Sequence, residues 1–307
     1  MRDLSVIIAA RNEIFLQRTI EDLLANKRAD TEIIAVLDGY WPTPSIKDHK
    51  DVIIIHNTES IGQRAAVNQA ARMSKAKYIM KTDAHCAFDK GFDVKLMVDC
   101  EKDWTLVPIM YNLHAFDWRC DNCGHRSYQG PKPEECTICR KQPSNFEMVM
   151  VWEPRWRRVT YSWRFDKQLR FQYWFKHRDR PETRRGDFIE TMSFIGACFF
   201  MERNRYWELD GLDEAHGSWG QVGTELACKS WLSGGKLLTA KRTWFSHMFR
   251  TQNKGFSFPY PITHADQERA RQYSLDYWMN NKWPKAIYDI HWLVEKFKPV
   301  PDWHDEE

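Results

Sequence analysis

The chain has 307 residues, 43% of them hydrophobic, and a formal net charge of +3 at pH 7. That length suits one large domain or two modest ones, and that composition supplies a buried core. No apolar run approaches the roughly 20 residues that a membrane-spanning helix needs, and the small net charge points by itself to no class of partner.

Residues 1–8 lack a basic region followed by a long apolar stretch and a small-residue cleavage site. They read as the start of a first strand, and the expectation is a mature chain that starts there and stays in the cytoplasm. Residues 4–10 (LSVIIAA) predict that strand, and 13–27 have apolar residues at helical spacing. A second strand is predicted at 32–37, ending at Asp38 and Gly39, and a third at 52–55. Residues 62–74 form an Ala-rich helix, and a fourth strand starts at 78–80 and runs into Asp83. Strands alternating with helices imply βαβ units and a parallel sheet. Ligands of such sheets bind beyond the carboxyl ends of the strands. Arg11 with Asn12, Asp38 with Gly39, and Asp83 with His85 all fall at such ends.

Residues 118–142 are a compositional island. Cys120 and Cys123 are separated by twelve residues from Cys136 and Cys139, a C-x2-C…C-x2-C pattern. Each close pair spans two corners of a tetrahedron, which marks a structural zinc site with no open position. Without a secretory signal, metal ligation outranks disulfides for these four. Cys86, Cys100, Cys198 and Cys228 read as buried thiols.

Beyond the ribbon, 152–185 is basic and aromatic. Between Arg155 and Arg185 there are eleven Lys or Arg against three Asp or Glu, interleaved with Trp156, Tyr161, Trp163, Phe165, Phe171, Tyr173, Trp174 and Phe175. Fifteen Trp are present in all, most after residue 100. The α/β pattern resumes at 194–201, and 261–307 reads as a helical tail. Asp83 and His85 leave an extended segment on the same side. Their oxygen and imidazole donors suit Mn²⁺ or Mg²⁺, although the tripeptide alone also reads as a solvated loop.

Several motifs, in order, resemble one family. SVIIAARNE at 5–13, IGQRAAVNQAARMSKAKYIMKTDAHC at 61–86, GACFFMERNRYWELDGLDE at 196–214 and SHMFR at 246–250 are similar to the catalytic domain of the polypeptide N-acetylgalactosaminyltransferases. More broadly they resemble the inverting family-two glycosyltransferases. Trp219, Gly220, Glu225, Trp231, Gly234 and Gly235 match a helix that the family uses beneath the reacting sugar. Together these motifs cover roughly half the chain. The resemblance implies a GT-A fold: α/β, Rossmann-like, with a mostly parallel sheet flanked by helices, here with the four-cysteine zinc ribbon inserted and a helical C-terminal tail.

It also implies site residues. Arg11, Asp38 and Arg64 would contact the uridine or diphosphate of a UDP-sugar, with Gly62 allowing close approach. Asp83, His85 and His247 would hold Mn²⁺ or Mg²⁺. Trp219 would pack near the sugar, and Arg250 with the stretch to Phe258 would close over the donor. One departure stands out. Where the family reads Trp-Gly-Gly-Glu-Asn, this chain has Trp219, Gly220, Gln221, Val222 and Gly223. Val222 accepts no proton, so an inverting reaction would need another carboxylate. Glu225 and Asp213 are the available acids; without them, retention of configuration is favoured.

The expected division is a nucleotide-sugar-binding half at 1–117, the ribbon at 118–142, a basic and aromatic acceptor-side segment at 143–190, an acceptor and catalytic half at 191–258, and a helical extension at 259–307. Cations that track phosphates and aromatics that stack on bases favour modified DNA as acceptor, a 5-hydroxymethylpyrimidine flipped out for attack. Protein Ser/Thr, a glycan or a lipid-linked acceptor are the alternatives. A non-enzymatic alternative is a zinc-ribbon nucleic-acid-binding protein on an inactive GT-A domain.

Overall fold

The computed structural model describes residues 1–140, 146–250 and 256–303. Its first half alternates strands and helices: β1 (Leu4–Ala10), α1 (Leu16–Asn26), β2 (Thr31–Asp38), β3 (Val52–Asn57), α2 (Gln63–Met73) and β4 (Tyr78–Thr82). All eight residues of β2 are buried, as expected of a parallel strand covered on both faces. Helix α1 buries Leu16, Thr19, Ile20 and Leu23, and α2 buries Ala66, Val67, Ala70 and Ala71. Both patterns follow one stripe at helical spacing.

The next elements are β5 (Cys86–Phe88), α3 (Phe92–Asp99), β6 (Trp104–Cys120), β7 (Arg126–Tyr128) and β8 (Phe146–Thr160). Then come β9 (Trp163–Phe165), β10 (Phe171–Tyr173), the short helices α4 (Phe175–Arg178) and α5 (Pro181–Arg184), β11 (Phe188–Glu190), β12 (Cys198–Glu202) and α6 (Arg203–Glu208). The described chain finishes with α7 (Val222–Leu232), β13 (Lys236–His247), α8 (His264–Met279) and α9 (Ile290–Lys296). The main sheet runs β11-β13-β6-β12-β4-β1-β2-β3. The β1–β2, β1–β4, β2–β3 and β6–β13 pairs are parallel, whereas β12 runs antiparallel to both β4 and β6. This is the mostly parallel α/β sheet that the resemblance implied.

Strand β8 is absent from the sequence reading, which saw only a basic, aromatic segment there. It pairs antiparallel with β6 from Met110 opposite Thr160 to Cys120 opposite Phe146. At roughly 3.4 Å per residue the paired arm is about 34 Å long. The four ribbon cysteines sit beyond its far end, because β6 closes on Cys120. The helical tail folds back on the body: α9 packs on α7, with the Trp231 and Phe297 rings 5.5 Å apart.

The structure corrects the picture of a continuous aromatic stacking surface over 155–185. Trp163, Phe165 and Trp174 are buried in the main core. Only Trp156, Tyr173 and Phe175 of that group are among the exposed large hydrophobics. Trp163→Ala is therefore expected to cost about 3–5 kcal/mol of stability, read from the urea midpoint. A stacking role would instead show as weaker nucleic-acid binding at unchanged stability.

Candidate active site

Three strand ends and one long-range pairing build the site. Past β4, the Asp83 N–H donates to Ala197 O at 3.0 Å, tying the loop to the segment before β12. Strand β5 then pairs antiparallel with the end of β13, Cys86 opposite His247, and Met248 N–H donates to His85 O at 3.1 Å. This pairing brings together residues 162 positions apart in sequence: His85 Nε2 lies 3.1 Å from His247 Nε2. His247 Nε2 lies 3.2 Å from Asp83 Oδ2.

The ligand atoms of Asp83, His85 and His247 all lie within 4.8 Å of one another. His85 donates through Nδ1 to Glu13 Oε2 at 3.0 Å. That bond fixes the tautomer and leaves the Nε2 lone pair facing the cluster, as carboxylate-held metal ligands do. Burial pushes His247 down to about 4, against the opposing pull of Asp83, so its ring is neutral at pH 7. Burial would raise the Asp83 carboxyl, but the Lys81 ammonium and the His247 contact hold it below the usual carboxylate range. One carboxylate oxygen and two imidazole nitrogens thus converge in a form able to ligate, and this donor set fits Mn²⁺ or Mg²⁺.

The cluster lines a cavity of about 570 Å³. Arg11, Asp38, Gly62, Trp219 and Arg250 line it too. The Arg11 guanidinium lies 5.8 Å from the Tyr260 ring centroid. Asp38 spends its carboxylate on the turn before α2, accepting from Ile61 N at 2.7 Å, Ser60 Oγ at 2.7 Å and Gly62 N at 3.1 Å. Gly62 has φ +88°, and a Cβ there would lie 3.0 Å from Ser218 Cα. Its first role is thus to let Ser218 approach. Arg250 donates to Glu13 at 2.6 Å and to Ser257 O at 3.1 Å. Of the expected closing stretch, 251–255 lie outside the described residues; Phe258 stacks edge-on against Trp219 at 5.3 Å.

Three expected roles are corrected. Arg64 does not line the cavity but is buried beneath it, bonded to Glu225 at 3.0 Å, Gly217 O at 3.2 Å and Gly220 O at 2.6 Å. It braces the loop carrying Ser218 and Trp219. Glu225 is fully buried, and accepts from Arg64, from Lys229 at 2.8 Å and from Asp213 N at 2.6 Å. Locked among cations and out of the cavity, it has no route to an acceptor hydroxyl. Asp213 also lies off the cavity. It caps the turn at Ala215 N and accepts from Tyr273 Oη, and the His216 ring holds it below the usual carboxylate range. Val222 does line the cavity. The following Gly223 is demanded by packing, since a Cβ there would lie 1.8 Å from Phe194 O.

Sequence reasoning missed Glu13, Lys81 and α8. Glu13 holds both His85 and Arg250. Lys81 shares the alternation of Asp83 and His85, which was the signal available for it. His264, Gln267, Glu268 and Arg271 of α8 form a wall of the cavity, a placement with no local sequence signal.

At the arm tip, Cys120, Cys123, Cys136 and Cys139 place their sulfurs within 4.8 Å of one another. Cys120 and Cys139 stand 3.6 Å apart, as do Cys123 and Cys136, and none is in a disulfide. Tetrahedral Zn–S bonds of about 2.3 Å put sulfurs roughly 3.8 Å apart, so the group fits zinc. Cys120→Ser is expected to release the metal and lower the melting temperature, since structural zinc contributes folding free energy. Elemental analysis of purified protein finding under about half an equivalent of metal, with four titratable thiols, would overturn a closed four-thiolate site.

Residues 5–111 match the model for "Glycosyl transferase family 2". The chain is 23% identical over 275 residues to the "Putative polypeptide N-acetylgalactosaminyltransferase 13" of Drosophila melanogaster, covering 84% of this chain and 43% of that protein. It is 24% identical over 265 residues to the "N-acetylgalactosaminyltransferase 7" of Mus musculus, covering 81% of this chain and 36% of that one. The chain thus spans less than half the length of these curated relatives. Among solved structures it is similar to GalNAc-T7 crystallised with UDP, GalNAc and Mn2+, with a TM-score of 0.62 and 18% identity, over 92% of this chain and 50% of that one. With the sheet order and the strand-end cluster described above, these likenesses lead to one conclusion: the chain has the fold of that glycosyltransferase structure, and its residues 5–111 are similar to glycosyltransferase family 2.

Proposed function

We propose that the chain moves a sugar from a UDP-sugar to a hydroxyl acceptor with the help of a divalent ion held by Asp83, His85 and His247. The observation that carries this reading is the convergence of those three ligands on a cavity that also presents Arg11 and Arg250. The ion would neutralise the leaving diphosphate. Arg11 lines the cavity where a second cation can meet the same phosphates, and Glu13 orients His85 and Arg250 together. In the reaction the bond from the sugar's anomeric carbon to the diphosphate breaks, a glycosidic bond forms, and the hydroxyl proton leaves. With Val222 at the position where a base was sought, Glu225 and Asp213 engaged elsewhere, and Glu268 of the cavity wall paired with Arg271, retention of configuration is the favoured outcome, the departing phosphate taking the proton.

For the acceptor, the name of the Drosophila melanogaster relative supports a polypeptide hydroxyl. The burial of Trp163 and Trp174 removes much of the support for base stacking. A second reading, transfer to a hydroxymethylated pyrimidine in DNA, keeps one observation: Arg155, Trp156, Arg157 and Arg158 are consecutive exposed residues on β8. Incubation with UDP-sugars, Mn²⁺ or EDTA, Ser/Thr peptides and hydroxymethylated DNA, followed by mass spectrometry, separates the readings. Mn²⁺-dependent mass gain on peptide supports the first, and gain on DNA the second. Absence of both transfer and donor hydrolysis with every UDP-sugar would leave an inactive domain and overturn the proposal.

A further inference from the structure

The ligand cluster has a cation built into it. Lys81 and Asp83 stand two residues apart on extended chain, so both side chains leave on the same face. The Lys81 side chain is 1% exposed. Its ammonium pairs with Asp83 Oδ1, donates to Gly196 O at 2.8 Å, and has Ala197 O at 3.4 Å. Gly196 and Ala197 also line the cavity. A buried ammonium is costly unless it is paired and hydrogen-bonded; here its charge partner is itself a member of the ligand cluster.

Two consequences follow. With Oδ1 engaged by Lys81, Oδ2 alone faces His247 and the centre. The second consequence is charge. Asp83 and Lys81 cancel, and so do Glu13 and Arg250, paired at 2.6 Å. The two imidazoles ligate as neutral groups, and Arg11 adds a positive charge on the cavity wall. The other charged residues lining the cavity, Asp38 and Glu268 against Arg170 and Arg271, cancel as well. A bare dication therefore meets no net negative charge, and its charge is balanced only when an anion enters with it.

We propose that Lys81 is a positioning residue that tunes this centre: it holds Asp83 as a one-oxygen ligand and, as a resident counter-cation, keeps the affinity for a bare divalent ion low until a nucleoside diphosphate binds. This rests on the metal-dependent reading above. Metal and diphosphate are then coupled ligands, each raising the other's affinity by the same factor.

The test is direct Mn²⁺ titration, followed by the electron paramagnetic resonance signal of the free ion, with and without UDP. Wild type is expected to bind Mn²⁺ alone weakly and at least about tenfold more tightly with UDP, within the usual range of such couplings. Lys81→Met, which keeps an unbranched apolar stem, is expected to bind Mn²⁺ alone about tenfold more tightly, because a like charge is removed from a site of low dielectric. The enhancement by UDP then shrinks by the same factor. Lys81→Gln keeps a donor near Gly196 O without the charge and should move the same way; it decides the matter if the Met variant is unfolded by calorimetry. Folded variants with unchanged or weaker Mn²⁺ affinity in the absence of UDP would overturn the role of Lys81 and leave the metal-dependent reading standing. Wild type that takes up no Mn²⁺ even with UDP overturns that reading and this proposal together.

Discussion

Asp83→Asn is expected to lower transfer by about a thousandfold or more, the several kcal/mol that a metal supplies to a developing anionic leaving group. The amide keeps the shape of the side chain and an oxygen to receive Lys81, so the fold should persist; Asp83→Ala would in addition strand the buried ammonium. His247→Ala removes a second ligand and should show a loss of similar size. Initial rates at saturating UDP-sugar and Mn²⁺, beside melting curves, check both variants. Transfer by folded Asp83→Asn within about tenfold of wild type, a barrier change of only about 1.4 kcal/mol, would remove Asp83 from the metal centre. The distinction from Lys81 is one of readout: losing Asp83 abolishes metal binding, whereas losing Lys81 strengthens it.

Glu225→Ala is expected to cost about 3–5 kcal/mol of stability, because it leaves Arg64 and Lys229 buried without their shared carboxylate. All three side chains are at most 2% exposed, so water does not compensate. The loss reaches the site, since Arg64 loses the partner that holds it against Gly217 O and Gly220 O, the frame around Trp219. The pH dependence has a definite sign. Burial would raise the Glu225 carboxyl above its ordinary 4.5, but Lys229 and Arg64 outweigh burial and lower it. Its contribution is therefore complete above about 4.5 and is lost as pH falls through the lower folded value. Urea titrations of wild type and Glu225→Gln at pH 7 and at acid pH check this: their stabilities should converge on acidification. A catalytic base would behave differently. Glu225→Gln would then keep full stability at pH 7 and lose kcat alone, an outcome that would restore the role sought for it from sequence.

The sequence reading reached furthest where chemistry is carried by spacing. Two pairs of cysteines with fixed separations announce a tetrahedral site whatever surrounds them, and the sulfurs do converge. The near-continuous apolar runs at β1 and β2 and the helical spacing of the Ala-rich face of α2 are local patterns, so the parallel half of the sheet was legible. Asp83 and His85 could be paired by alternation alone. It failed where a residue's meaning depends on what lies across the fold. Arg64 lies two residues from the cavity-lining Gly62, yet its guanidinium points to Glu225, 161 residues away, and no local pattern carries that contact. Trp163 and Trp174 stand among arginines, which made them read as a surface, but the segment folds back so that their rings join the core, and Arg164 beside Trp163 is itself tied to Pro301 O and Asp302.

What the sequence determined by itself is the class of architecture and the four-cysteine cluster, because short-range geometry sets these: strand alternation, helical periodicity and ligand spacing. Asp83 and His85 were paired by alternation, and His247 joined them only through the family resemblance. Tertiary structure alone decided that His247 meets His85, through pairing of β5 with β13; that α8 walls the cavity; that Glu225 is a buried anchor; and that Lys81 neutralises Asp83. Each of these depends on which distant groups burial forces together. In a low-dielectric interior every buried charge must find a partner, and that partner is chosen by the packing of the whole chain.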